Sequence, residues 1–139
     1  MRVYIGHSKK IDYIKELYEP LRKDIFFNNH ELILPHEKDE ISSNSREFYK
    51  TIDVFIAECS DTATGLGIEL GWAFDDNKNI YCIYKKGKEI SGSLKSVTNN
   101  FYEYNDLNEM LSVVKSIIDK EQLNQKEPTP NEKRRKNND

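Results

Sequence analysis

The sequence predicts a single α/β domain whose five-stranded, mostly parallel sheet is covered by helices on both faces. Three observations predict it. Short β-rich runs alternate along the chain with longer segments of helical spacing, the signature of parallel βαβ units. Residues 53–59 (DVFIAEC) form a nearly continuous apolar run, as a strand buried on both faces does. The 139 residues suit one domain large enough to bury a core without disulfide or metal staples.

Taken in order, residues 2–6 (RVYIG) read as the first strand, ending in glycine. From Ile11, apolar residues at Ile14, Leu17, Tyr18 and Leu21 keep the spacing of one helical face. Pro20 is expected to kink or end that helix near Glu19. Residues 31–34 (ELIL) form a second strand closed by Pro35, and a short helix over 44–51 leads into the third strand at 53–59. A glycine-rich turn follows, then a helix over 68–75 and a fourth strand over 79–84 (NIYCIY). A short helix over 90–97 precedes a fifth, edge strand over 101–104. Leu107, Met110, Leu111, Val114, Ile117 and Ile118 mark the apolar stripe of the last helix. This order describes a doubly wound, Rossmann- or flavodoxin-like domain over residues 1–121. Residues 122–139 end in QKEPTPNEKRRKNND, which has no periodicity and is expected to be a disordered charged tail. Its KRRK run reads first as solubilising, with nucleic acid or an acidic partner as the alternative.

Composition narrows the function classes. A formal net charge of −3 argues against general affinity for nucleic acid, which calls for a basic face. No apolar run approaches the roughly 18–20 residues of a membrane span, and no secretory signal precedes the first strand, so a cytoplasmic protein is expected. Cys59 and Cys82 stand apart with no CxxC and read as reduced thiols in strands. His7, His30 and His36 show no zinc-ligand spacing, so no metal is expected. Neither GxGxxG nor GxxxxGK[ST] occurs, and no cofactor is implied.

Ligands of open parallel sheets bind beyond the carboxyl ends of the strands. Three segments fall there: Gly6-His7-Ser8-Lys9-Lys10, Pro35-His36-Glu37, and Ser60 onward through Gly65-Leu66-Gly67-Ile68-Glu69. In the third, Gly65 and Gly67 allow a tight turn and close approach to a ligand, and Glu69 is expected in the first helical turn. There it either acts on a ligand or merely complements the helix dipole. Ser8, Lys10 and free backbone amides make the first segment either a phosphate cradle or an ordinary βα loop. His36 is either a polar ligand contact or loop surface.

The stretch from Asp53 through Thr64-Gly-Leu-Gly-Ile-Glu-Leu-Gly-Trp-Ala73 resembles the core signature of the nucleoside 2-deoxyribosyltransferase superfamily. That superfamily includes base-swapping transferases and hydrolases of deoxynucleoside 5′-monophosphates. The opening Val3-Tyr4-Ile5-Gly6-His7-Ser8 is similar to its first strand and loop. The resemblance implies that Glu69 attacks C1′ of the sugar as a nucleophile and that Tyr4 orients it. It places Ser8 and Lys10 at phosphate-binding positions and His36 near an active-site histidine. It makes Ser91 a serine that reaches the phosphate of a neighbouring subunit, and hence implies a homodimer. The substrate is then a nucleoside or nucleotide.

The physical logic of such a reaction agrees with those roles. Breaking an N-glycosidic bond develops oxocarbenium character at C1′, which an adjacent carboxylate traps, while a second group protonates the leaving base. In the resembling hydrolases an aspartate before the third strand does this proton work. Ser45 stands at the matching position here, with Glu47, Glu40, Asp39 and His36 as substitutes the sequence does not rank. The alternative to an enzyme is therefore a catalytically impaired nucleotide-binding or sensing module of the same fold.

Overall fold

The structure, a computed structural model, describes residues 1–37 and 46–126. The expectations for Asp39, Glu40, Ser45 and the end of the charged tail lie outside the described residues. Strands β1 (Arg2–His7), β2 (Glu31–Ile33), β3 (Val54–Glu58), β4 (Asn79–Lys85) and β5 (Phe101–Tyr104) form one sheet in the order β2-β1-β3-β4-β5. Every neighbouring pair is parallel. The helices are α1 (Glu19–Lys23), α2 (Thr64–Asp75) and α3 (Leu107–Lys126). Among the described residues no helix is long and apolar enough to cross a membrane.

Both faces of the sheet are covered, and the alternation along each strand divides the core into two layers. Val54 and Ile56 of β3 join a cluster with Leu17, Leu21, Met110, Val114 and Ile117, beneath α1 and α3. Phe55 and Ala57 of the same strand join Tyr4, Tyr49, Leu66, Leu70 and Ala73, beneath α2. Each side chain of β3 is thus buried, as its uninterrupted apolar run predicts.

Three elements depart from the sequence expectation, the first being α3, which runs on to Lys126 and takes in residues 122–126 of the expected disordered tail. A π-helical turn over Ile14–Tyr18, in which the Glu19 N–H reaches the Ile14 carbonyl, runs directly into α1. Pro20 therefore opens the α-helical part instead of ending the helix near Glu19, because proline in the first turn of a helix costs little. The helix α2 begins at Thr64, four residues ahead of the expected 68, and the expected glycine turn is its first turn and a half. Gly65 and Gly67 are exposed, with nothing near the place of a Cβ. Packing of Leu66, Leu70 and Ala73 on the sheet outweighs the helix penalty of about 1 kcal/mol per glycine.

The glycine that close packing does require is Gly6 at the end of β1. A Cβ there would lie 2.6 Å from the Phe55 ring and 2.9 Å from Leu66 Cδ1. Its absence lets α2 sit low over the carboxyl ends of β1 and β3.

Candidate active site

The sheet order changes direction at β1, with β2 on one side and β3, β4 and β5 on the other. The segments leaving β1 and β3 diverge there to opposite faces and open a crevice at the strand ends. The sequence fills this crevice from four directions: the loop after β1, the loop after β2, the 3-10 turn Arg46–Thr51 and α2.

Glu69 stands in the second turn of α2, on the flank toward β1. Tyr4 of β1 and Tyr49 of the 3-10 turn both hydrogen-bond its carboxylate. Their hydroxyl oxygens lie 3.3 Å apart, and both residues are fully buried. The two hydroxyls also hydrogen-bond each other, so Glu69, Tyr4 and Tyr49 form one buried hydrogen-bonded cluster in which the carboxylate only accepts. Burial pushes the Glu69 carboxyl above its ordinary value of 4.5, while the bonds from Tyr49 and then Tyr4 pull it back. Burial, followed by the nearby Glu69 charge, drives the Tyr4 phenol far above its usual range, so it stays a donor. Glu69 lies beyond the first turn, the stretch over which helix-dipole complementation acts.

The loops after β1 and β2 are joined through Tyr18. The His36 backbone N–H donates to the Tyr18 hydroxyl at 3.0 Å, and that hydroxyl lies 2.7 Å from His7 Nε2. His7 Nδ1 lies 2.9 Å from the Ser8 carbonyl, which can only accept, so Nδ1 carries the proton. Burial holds His7 below its ordinary 6.5, and in the neutral ring Nε2 accepts from Tyr18. His7 is 6% exposed and both its nitrogens are engaged within the protein. Tyr13 stacks on it at 4.7 Å, and the exposed His36 ring lies 5.4 Å from His7 and 5.6 Å from Tyr13. Tyr13 and His36 thus form the aromatic wall of the crevice above β1 and β2.

Ser8 is buried, and its Oγ accepts the Lys10 N–H at 3.0 Å, shaping the loop. Lys10 is exposed and reaches across the crevice, where its Nζ donates to the Thr62 carbonyl at 3.1 Å. On the other side, Glu58 at the end of β3 is 1% exposed. One of its oxygens accepts the Ser60 N–H at 2.6 Å and the other accepts from the Tyr104 hydroxyl. The Ser60 Oγ in turn accepts the Lys85 N–H at 2.8 Å. The segment leading from β3 into α2 is fixed by these bonds.

The remaining expected site residues stand elsewhere. At 100° per residue, Glu69 and Gly67 lie on opposite flanks of the buried ridge Leu66–Leu70–Ala73. Gly67 faces a separate, mainly apolar pocket of about 190 Å³. Ser91 lines that pocket together with Leu94, Val97 and the Asp61–Ala63 segment. The Ser91 Oγ accepts the Ser93 N–H at 3.3 Å and caps the 3-10 turn Gly92–Ser96. Gly6 packs beneath α2, and Gly65 lies on its exposed face. Within one chain, then, Tyr4 and Glu69 meet, Ser8, Lys10 and His36 border the same crevice, and Ser91 does not share it.

Sequence reasoning missed Tyr49, Tyr18 and Glu58. Tyr18 sits at an apolar-spaced position that reads as packing, Tyr49 carries no reading beyond the short helix over 44–51, and Glu58 belongs to the strand pattern without a role of its own. Apart from Ser60, two residues beyond Glu58, the bonding partners of these residues come from elements distant in the chain, so spacing carries no signal for them.

No family model matches the chain. It is 37% identical over 54 residues to a Nematostella vectensis protein that carries the provisional name 2′-deoxynucleoside 5′-phosphate N-hydrolase 1. The match covers 36% of this chain and 37% of that protein, so the chain spans little more than a third of the length of this curated relative. Among solved structures, it is similar to the Clostridium botulinum CMP N-glycosidase, with a TM-score of 0.56 and 24% identity. That similarity covers 82% of this chain and 98% of the other, and it shows a shared fold.

Proposed function

We propose that this protein cleaves or transfers at the N-glycosidic bond of a nucleoside or nucleoside 5′-monophosphate, with Glu69 as nucleophile at C1′. The observation that carries the reading is the Glu69 carboxylate held by Tyr4 and Tyr49 at the crevice between β1 and β3. A glycosidic carbon presented there meets a fixed carboxylate oxygen, which forms a glycosyl ester as the bond to the base breaks. The names of the two similar proteins, one a nucleotide N-hydrolase and one a CMP N-glycosidase, support the same reaction type.

Tyr13 and His36 offer aromatic faces to the base, and Lys10 offers a cation to a 5′-phosphate. No side chain caps the N-terminus of α2 beside Thr62, which leaves amides facing the same end of the crevice. These features favour a phosphorylated substrate. Because Ser91 lies on the far flank of α2 from Glu69, a phosphate contact by Ser91 requires a second copy of the chain, and a homodimer is proposed on that ground.

The experiment is release of free base from nucleosides and deoxynucleoside 5′-monophosphates, with water and with an acceptor base, by the wild type, Glu69→Gln and Lys10→Ala. The reading expects base release that Glu69→Gln abolishes, and a loss in Lys10→Ala confined to the monophosphates. Tight nucleotide binding without base release from the wild type under either condition supports the sensing module instead.

A further inference from the structure

We propose that Tyr49 is a second positioning residue for Glu69, forming with Tyr4 a two-phenol clamp that holds the carboxylate and receives the charge returned when the glycosyl ester breaks. The chemistry rests on the glycosidase reading above; the clamp itself rests on geometry.

Tyr49 is anchored through the turn that carries it. Its turn is fastened to the carboxyl end of α2 by Arg46, whose guanidinium bonds Asp75 at 2.8 Å and Asp76 at 2.9 Å. Lys78 Nζ donates to the Lys50 carbonyl at 2.9 Å and closes the same joint. The turn bearing Tyr49 and the helix bearing Glu69 are therefore tied together. The Tyr49 ring is packed edge to face on Tyr4 at 5.2 Å and tilted on Trp72 at 5.5 Å. A buried phenolic hydroxyl is costly unless it is bonded, and this one is bonded to Glu69. The titratable groups facing Glu69 from the described elements are Tyr4 on β1, Tyr49 on the turn and, at longer range, Tyr18 ahead of α1. All three are phenols that burial keeps protonated.

The clamp acts differently on the two half-reactions. In the first, a Glu69 oxygen bonds to C1′ and the C1′–N bond breaks, its electron pair leaving with the base. The resulting ester is uncharged and a weaker acceptor, so the phenols lose much of their hold. In the second, a water oxygen bonds to C1′ and the C1′–O(Glu69) bond breaks. The pair returns to Glu69 as carboxylate, and the proton of the water passes to solvent. Both phenols then regain a charged acceptor, and bonds that strengthen as charge develops lower that barrier. Losing one phenol therefore slows ester breakdown more than ester formation.

The first test needs no substrate. Carboxyl titration of protein carrying ¹³C-labelled glutamate, with the Glu69 resonance identified by its loss in Glu69→Gln, compares wild type, Tyr49→Phe and Tyr4→Phe. The Glu69 midpoint is expected to rise by about one pH unit in each phenylalanine variant. Phe48→Leu, which alters packing in the same turn, should leave it in place. An unmoved midpoint in a folded Tyr49→Phe overturns the clamp, whatever the protein's activity. The second test is mass spectrometry of protein mixed with the deoxynucleotide it cleaves. Tyr49→Phe should retain the first release of base, accumulate the glycosyl adduct and turn over about tenfold more slowly. Equal slowing of both half-reactions would reduce Tyr49 to a packing residue.

Discussion

Tyr18 donates its hydroxyl proton to Nε2 of His7 at 2.7 Å while accepting the backbone N–H of His36. This one hydroxyl bonds the imidazole whose tautomer the Ser8 carbonyl fixes and ties together two loops that border the crevice.

A pH dependence of stability follows from it. Burial holds His7 below 6.5 in the folded protein, so over that interval the unfolded chain binds more protons. Stability should be complete above about pH 6.5 and fall as the pH drops toward the depressed native value. His30 and His36 are also held low by burial and add to the same slope. Urea unfolding at a series of pH values checks this, and His7→Asn should flatten the slope without abolishing it. A slope unchanged by that substitution would assign the effect to the other two imidazoles.

Glu58 presents a second test of the loop architecture. Its two oxygens accept from the Ser60 amide and the Tyr104 hydroxyl, both donors. Glu58→Gln turns an amide donor toward one of them and leaves a buried group opposed, which should cost about 1–3 kcal/mol in denaturant unfolding. Tyr104→Phe removes a donor but leaves the Ser60 bond, and should cost less. Base release should fall in Glu58→Gln because the segment from Ser60 into α2 loses its anchor.

The separation of Ser91 from Glu69 across α2 gives a complementation experiment. If sites are completed between subunits, Glu69→Gln and Ser91→Ala chains combine into dimers with one native site each. A fully exchanged equal mixture should then hold about a quarter of the wild-type complement of sites. Activity no greater than that expected from the two variants alone would assign Ser91 to its own chain's pocket, with no part in the reaction.

The order of elements and the doubly wound class were legible because strand and helix periodicity are local properties. The residues 53–59 run, the stripe through Met110 and Val114, and the edge strand at Phe101–Tyr104 all occur where the pattern puts them. The start of α2 was misread because glycine is a local helix breaker. What extends that helix to Thr64 is the burial of Leu66 and Leu70 against the sheet, a tertiary contribution larger than the penalty of two glycines. Pro20 was misread for a similar reason, since a π-helical turn ahead of it moves the ring into the first turn of α1.

By itself the sequence determined the strand-helix alternation and the position of Glu69 near the carboxyl end of the third strand, while the expectation that Tyr4 orients that glutamate came from the family resemblance. The tertiary structure decided which groups surround the carboxylate. Tyr49 joins it because the chain turns back over α2 before entering β3, and hydrogen bonds between elements far apart in sequence leave no periodic trace. The same folding decided that His7, which reads as a ligand contact, spends both nitrogens inside the protein. It also decided that Ser91 lines the pocket beside Gly67, across α2 from Glu69, because a helix turning 100° per residue puts Gly67 and Glu69 on opposite flanks.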